Sequence, residues 1–191
     1  AVFTTILDDH VEFNKYLKQV ILEHRQNNPE STNSNVKAWH SSWTTHAENR
    51  SFKPLEERII GACKFIAQGY YEGSDDLEYK VLNLWAMMYE DTEWTKRHSH
   101  FPSDFACCYY VDVEEGCAPV IFESVQKDGV NDNNQPLTLQ PQNGMLAIWP
   151  AILHHEVPPT KGRRMCVSAN IEKGSREKYI NLGDAMKIEV S

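Results

Sequence analysis

Nowhere in these 191 residues is there an apolar run near the roughly 20 positions that a bilayer-spanning helix needs, so no membrane partner is expected. Ala1-Val2-Phe3-Thr4-Thr5 lacks a basic region followed by an apolar core, so no signal peptide is read and a cytoplasmic protein is expected. Positive charge is short: 19 Lys and Arg stand against 27 Asp and Glu, a formal net charge of -8. That excludes a general phosphate-backbone binder and disfavours a nucleic-acid partner. Cysteine is sparse and unpaired in pattern. Cys63, Cys107, Cys108, Cys117 and Cys166 are odd in number and show no CxxC spacing, which removes the zinc-ribbon and dithiol-redox readings. Reduced thiols are the simplest account, with Cys107, Cys108 and Cys166 as small core residues in apolar runs. Internal repeats and low-complexity tracts are also absent.

What is present is an ordinary globular composition, 41% hydrophobic and 24% charged. One domain is expected over 1–191, with 1–78 a mainly helical support and 79–172 a β core. Residues 8–26 read as a helix capped by Asp8 or Asp9, with Val11, Phe13, Leu17, Val20 and Ile21 at near-helical spacing and His10 and His24 on its polar face. A second helix is expected over 55–68, opened by Pro54. From Tyr79 the period shortens, and Val81 to Met88 reads as a strand buried on both faces. Further strands are expected over 105–113, 118–124, 137–139, 145–149 and 165–171, with loops at 26–36 and 128–136 and a turn at 141–144. Helices in front of many short strands indicate α+β with a sandwich or jelly-roll core.

Two histidine groups lie beside β-patterned runs. His98 and His100 are two apart, so on a strand both would face one cavity. His155 is the better partner of the pair His154-His155, because strand neighbours face opposite ways. Three imidazoles with open positions suit iron, zinc, copper or nickel and a metal that activates oxygen or substrate. Arg164 follows nine positions later, across Pro158-Pro159. It is expected to return on the strand next to His155, where a guanidinium can clasp a carboxylate. Trp39, His40 and Trp43 could line a pocket, although packing is the commoner role of such residues.

These residues carry a resemblance. His155-Glu156-Val157-x-Pro159 with Arg164 opening a strand resembles the C-terminal signature of Fe(II)/2-oxoglutarate-dependent dioxygenases, particularly the prolyl-hydroxylase-like branch. Asn83-Leu84-Trp85-Ala86, His98-x-His100, Tyr109-Tyr110-Val111, Trp149-Pro150 and Arg164-Met165-Cys166-Val167-Ser168-Ala169-Asn170 are similar to a group of uncharacterised 2-oxoglutarate–Fe(II) oxygenases. Ala38-Trp39-His40-Ser41 resembles an N-terminal element of that group. The resemblance covers roughly 36–172.

It implies a double-stranded β-helix of the jelly-roll or cupin-like type with the N-terminal helices packed on one side. It also implies a hydroxylase that couples oxidative decarboxylation of 2-oxoglutarate to hydroxylation of a substrate C–H, peptidyl proline being one candidate. Fe(II), 2-oxoglutarate and O2 are implied, with ascorbate a possible reductant and a small molecule or peptide as substrate. By position, His98 and His155 would hold iron. Arg164 would bind the far carboxylate of 2-oxoglutarate with a hydroxyl from Tyr110 or, less favoured, Tyr109. Asn170 would line the pocket, as would Trp39, His40, Tyr109 and Trp149. The chain departs from the usual His-x-Asp/Glu by placing His100 at the carboxylate position. Either His100 is the third ligand, or Asp104 curls back to supply it. The segments 36–50 and 126–136 would form a lid. Two other readings stand beside this one: a cupin-like three-histidine enzyme that does not use 2-oxoglutarate, and a jelly-roll binding protein without catalysis.

Overall fold

The computed structural model describes residues 1–31, 35–70, 77–123 and 136–175. Two antiparallel sheets face each other. The larger has the order β1-β9-β6-β11-β4-β3, formed by Phe3–Ile6, Met145–Pro150, Phe105–Val113, Arg164–Ser175, Leu77–Tyr89 and Trp39–His40. The smaller has the order β2-β5-β10-β7-β8, formed by Val36–Lys37, Trp94–His98, His155–Val157, Val120–Phe122 and Leu137–Leu139. This is the double-stranded β-helix. Helices α1 (His10–Asn27) and α3 (Lys53–Tyr70) cover the outer face of the larger sheet, and a short α2 (Thr45–Glu48) lies against β4.

The helices follow from their periodicity. α1 buries Phe13, Leu17, Val20, Ile21 and also His24, while α3 buries Leu55, Ile59, Cys63 and Ala67 at four-residue steps. His24 is a correction to the polar-face expectation: its ring packs edge-on against Trp39 and Phe52. Val11 and Phe65, by contrast, face solvent.

The large sheet is buried on both faces, which explains the near-continuous apolar runs of its central strands. In β4, Leu84 and Ala86 join the core under the helices, while Trp85 and Met87 join the core between the sheets. In β6, Cys107, Tyr109 and Val111 point to the helices, and Ala106, Cys108 and Tyr110 point between the sheets. All five cysteines are buried and free. The turn before β9 needs Gly144, whose φ is 81° and where a Cβ would fall 2.3 Å from His10 Cγ.

The front of the chain is more than helical support. It also supplies β1, β2 and β3, each hydrogen-bonded to an edge of the β core. Within 36–50, Val36, His40 and Trp43 line the space between the sheets, so this segment is part of its cover. Residues 126–135 of the expected lid lie outside the described residues. Among the described residues no helix is long and apolar enough to cross a membrane.

Candidate metal centre and anion pocket

His98 and His155 are direct cross-strand partners in β5 and β10, with ring centroids 4.4 Å apart. Strand alternation turns His154 outward, 3.9 Å from Glu123. His100 reaches the same point by a different route from the one expected. β5 ends at His98, so His98 and His100 do not share a strand face. Beyond the strand end the His100 N–H donates to Ala151 O (2.8 Å), and the bend lays its ring over that of His155 at 5.0 Å and 8°. Trp85 covers the other side of His100 at 5.8 Å and 19°. One ring nitrogen from each of the three histidines lies within 4.8 Å of the others.

The outer nitrogens show which atoms face inward. His98 Nδ1 lies 2.8 Å from Lys96 O, His155 Nδ1 lies 3.1 Å from Leu153 O, and His100 Nδ1 lies 2.7 Å from Asn170 Oδ1. Each of these oxygens accepts, so each Nδ1 carries the proton and each Nε2 is left with a bare lone pair. His100 Nε2 and His155 Nε2 are 3.3 Å apart. Burial pushes the His98 and His155 imidazoles below their ordinary pKa and pushes His100 down to about 4, with the neighbouring histidines acting in the same direction on His100 and His155. At neutral pH the rings are uncharged, and lone pairs that converge at this range repel. A cation among them removes that repulsion, so the donor set fits a divalent metal held by imidazole nitrogen.

The anion half of the site comes from the opposite sheet. Arg164 is not on the strand beside His155. It opens β11, paired with Tyr89 and Val113 in the larger sheet, and points across the interior. Its Nη1 donates to Ala118 O (3.1 Å) and its Nη2 to the Tyr110 hydroxyl (3.3 Å), and the Tyr89 and Tyr110 rings flank the guanidinium at 5.4 and 5.1 Å. The residue is 2% exposed, its Nε has no hydrogen-bond partner, and among the described residues no carboxylate pairs with it. An unpaired buried cation costs several kcal/mol, of order, unless an anion joins it. One cavity between the sheets is lined by the Arg164 group and the three histidines together.

Several expected site residues lie elsewhere. The Tyr109 hydroxyl donates to Asn14 Oδ1 under the helices, because it occupies the opposite strand face from Tyr110. Trp39 packs in the helix-side core, its indole N–H donating to Asn28 O. Asp104 is exposed, and its carboxylate accepts from the Lys173 N–H (2.7 Å) rather than joining the histidines. Asn170 does not line the Arg164 cavity; its amide holds His100. His40 and Trp149 do line that cavity. Residues not anticipated are Tyr89 and Thr95, whose hydroxyls are 2.6 Å apart near Arg164, together with Trp85 and Asn83. Trp85 and Asn83 stood in the motif already quoted, but their parity on a doubly buried strand was not visible.

Two facing sheets with the three histidines and Arg164 gathered between them form a double-stranded β-helix with polar groups in its interior. Solved structures share the fold. The chain is similar to a prolyl-4-hydroxylase from Pseudomonas putida (12% identity, 91% of this chain and 93% of that one, TM-score 0.62). It is also similar to the non-heme alpha-ketoglutarate-dependent epimerase SnoN of nogalamycin biosynthesis (14% identity, 100% and 86%, TM-score 0.65). A third likeness is to a viral collagen prolyl hydroxylase from Paramecium bursaria Chlorella virus-1 (10% identity, 91% and 96%, TM-score 0.59). No curated protein matches the sequence. Residues 83–170 match the family described as "Putative 2OG-Fe(II) oxygenase". That match and the shared fold support the general kind of reaction of an oxidoreductase that uses 2-oxoglutarate and iron.

Proposed function

We propose that this chain is an Fe(II)/2-oxoglutarate-dependent hydroxylase of a substrate C–H bond, working with a three-histidine metal centre. One observation carries the reading. Three imidazoles with inward, unprotonated Nε2 atoms share a cavity with a buried guanidinium that no carboxylate among the described residues pairs with. His98, His100 and His155 would hold the metal. Arg164 would clasp the far carboxylate of 2-oxoglutarate in bidentate fashion, and the Tyr110 hydroxyl, already 3.3 Å from Arg164 Nη2, would add a hydrogen bond. Bound iron with its cosubstrate supplies oxygen activation, with succinate and CO2 as the cosubstrate's products. The apolar walls Met87, Val120, Trp149 and Val157 exclude water around the reacting atoms.

The substrate would enter beside His98 and His100, where a second cleft is lined by Trp43, Leu82, Phe101, Pro102 and Asn170. Phe101 is 71% exposed and Trp43 39%. The exposed Phe101 and Trp43 rings at that mouth suit a ring-bearing substrate, and prolyl hydroxylases among the solved structures of like fold support a peptidyl proline as the first candidate. O2 is the oxidant and ascorbate a candidate reductant for the iron. The five free cysteines support a reducing compartment. A three-histidine enzyme that does not use 2-oxoglutarate leaves Arg164 without a task, and a binding protein without catalysis leaves the converging lone pairs without one.

Anaerobic titration of the protein with Fe(II) and 2-oxoglutarate tests this. The metal-to-cosubstrate charge-transfer band should develop with the wild type and vanish with His155→Ala. No band with the wild type, under conditions where Fe(II) is bound, refutes the cosubstrate reading.

A further inference from the structure

The three histidines are not held alike. His98 and His155 each turn Nδ1 to a main-chain carbonyl two residues earlier, Lys96 O and Leu153 O. The adjoining main chain supplies those acceptors, and no other side chain is needed. His100 lies past the end of β5 and has no such carbonyl on its Nδ1. Its acceptor is a side chain 70 positions away, Asn170 Oδ1 at 2.7 Å. Asn170 is in turn held, its Nδ2 donating to Asn83 Oδ1 at 3.2 Å.

The backbone prepares this contact. Asn170 and Asn83 are register partners on β11 and β4, and the β11–β4 register shifts immediately after Asn170. A bulge at that point re-aims a side chain that regular pleating would direct otherwise. Stacking alone cannot do the same work. His100 lies between Trp85 (19°) and His155 (8°), which fixes the plane of the ring. Neither neighbour fixes rotation within that plane, nor which nitrogen carries the proton. Only a hydrogen bond at one ring nitrogen selects both.

We propose that Asn170, steadied by Asn83, is a positioning residue that locks His100 as the Nδ1–H tautomer and so turns its Nε2 lone pair to the other two imidazoles. This rests on the reading of the three histidines as metal ligands. It assigns the unusual histidine at the carboxylate position its own support, one that a carboxylate ligand would not need. Removal of such an outer partner typically weakens metal binding about 10- to 100-fold.

The test uses the full chain and Mn(II) alone. In metal-free wild type at pH 8, long-range 1H–15N spectra should show His100 protonated at Nδ1. In Asn170→Ala the two tautomers should mix, and Mn(II) should bind about 10- to 100-fold more weakly. Asn170→Asp keeps an acceptor oxygen, so it should keep the Nδ1–H pattern and bind Mn(II) at least as tightly as wild type. Asn83→Ala should give a smaller loss of the same kind. An unchanged tautomer in Asn170→Ala overturns the proposal, as does an equal loss of affinity in the Ala and Asp variants, which would mark a packing role. If Asn170→Ala does not fold, Asn83→Ala and Asn170→Asp decide by the same readouts. Failure of wild type to bind Mn(II) would refute the metal reading, while the metal-free spectra would still decide the role of Asn170.

Discussion

Arg164→Met separates a guanidinium kept for a ligand from one kept for the fold. Met matches the length of the arginine stem and fits between the Tyr89 and Tyr110 rings, which flank the guanidinium at 5.4 and 5.1 Å. The substitution gives up two hydrogen bonds, to Ala118 O and to the Tyr110 hydroxyl, and two ring contacts of about 0.5–2 kcal/mol each. It also removes a buried charge with no carboxylate among the described residues. Replacing buried ionic groups by apolar ones of similar volume is often neutral or stabilising by about 1–4 kcal/mol. In the ligand-free protein the net change should therefore lie between neutral and about 2 kcal/mol stabilising. With a cosubstrate the balance reverses. At a 2-oxoglutarate concentration about 100 times Kd, with Mn(II) present, wild type gains about 2.7 kcal/mol. For a chain of this size that is about 5–11 °C in Tm. Losing a buried charged hydrogen-bond pair costs at least about 2 kcal/mol in affinity, or about 30-fold. The same concentration is then only about three times Kd, the gain falls to about 0.9 kcal/mol, and the shift to about 2–4 °C. Differential scanning fluorimetry with and without 2-oxoglutarate reads both numbers. A variant whose ligand-free Tm drops by more than about 8 °C while its 2-oxoglutarate shift survives would show that Arg164 is a structural tie and would refute the reasoning.

Three other outcomes follow from the same geometry. His155→Ala should abolish Mn(II) binding in calorimetry, whereas Asp104→Asn should leave it unchanged, because the Asp104 carboxylate is committed to the Lys173 N–H. His40, fully buried, is pushed down to about 4 by burial. The unfolded chain therefore takes up the proton first, so stability falls as pH drops from 6.5 towards 4 and is fully present above 6.5. The other buried histidines add to the slope in the same window, so urea midpoints should show His40→Phe lowering the total slope by about one site's share, up to about 1.4 kcal/mol per pH unit between pH 6 and 4.5, and an unchanged slope would count against a neutral buried His40. All five thiols are buried, so a thiol reagent should find none in the native protein and five after denaturation; rapid native labelling of any one would contradict the packing.

What could be read from the chain and what could not divides on one physical point. Helix periodicity is readable because one face is wet: Phe13, Leu17, Val20 and Ile21 stand out against polar neighbours. A strand buried on both faces offers no such contrast. Phe105-Ala106-Cys107-Cys108-Tyr109-Tyr110-Val111 announces a strand, but nothing in it says which tyrosine faces the cavity between the sheets and which faces α1. The sheets assign Tyr110 to the former and Tyr109 to the latter. Trp39 failed as a pocket residue for a related reason, since its indole closes the helix-side core while Trp43, four positions on, reaches the cavity. The edge strand Phe3–Ile6 was too polar to announce itself. Arg164 was placed on the wrong sheet because the sequence distance from His155 is short, and a crossover between sheets has no local signature.

That crossover bears on how the site works. His98 and His155 belong to the smaller sheet, Arg164 and Tyr110 to the larger, and His100 enters from the bend that leaves the smaller sheet at its end. A hairpin carrying both His155 and Arg164 on adjacent strands of one sheet would point metal and anion sites along a single surface. Here the ten residues from 155 to 164 pass from one sheet to the other, so the two half-sites face each other across the interior. A ligand that touches both must bridge the sheets. Its binding energy then opposes separation of the two layers rather than local fraying of a loop, and amide protons of β10 and β11 should gain protection from exchange together when 2-oxoglutarate and Mn(II) are both present. Protection confined to one of the two strands would mean that the metal and the guanidinium do not share a ligand.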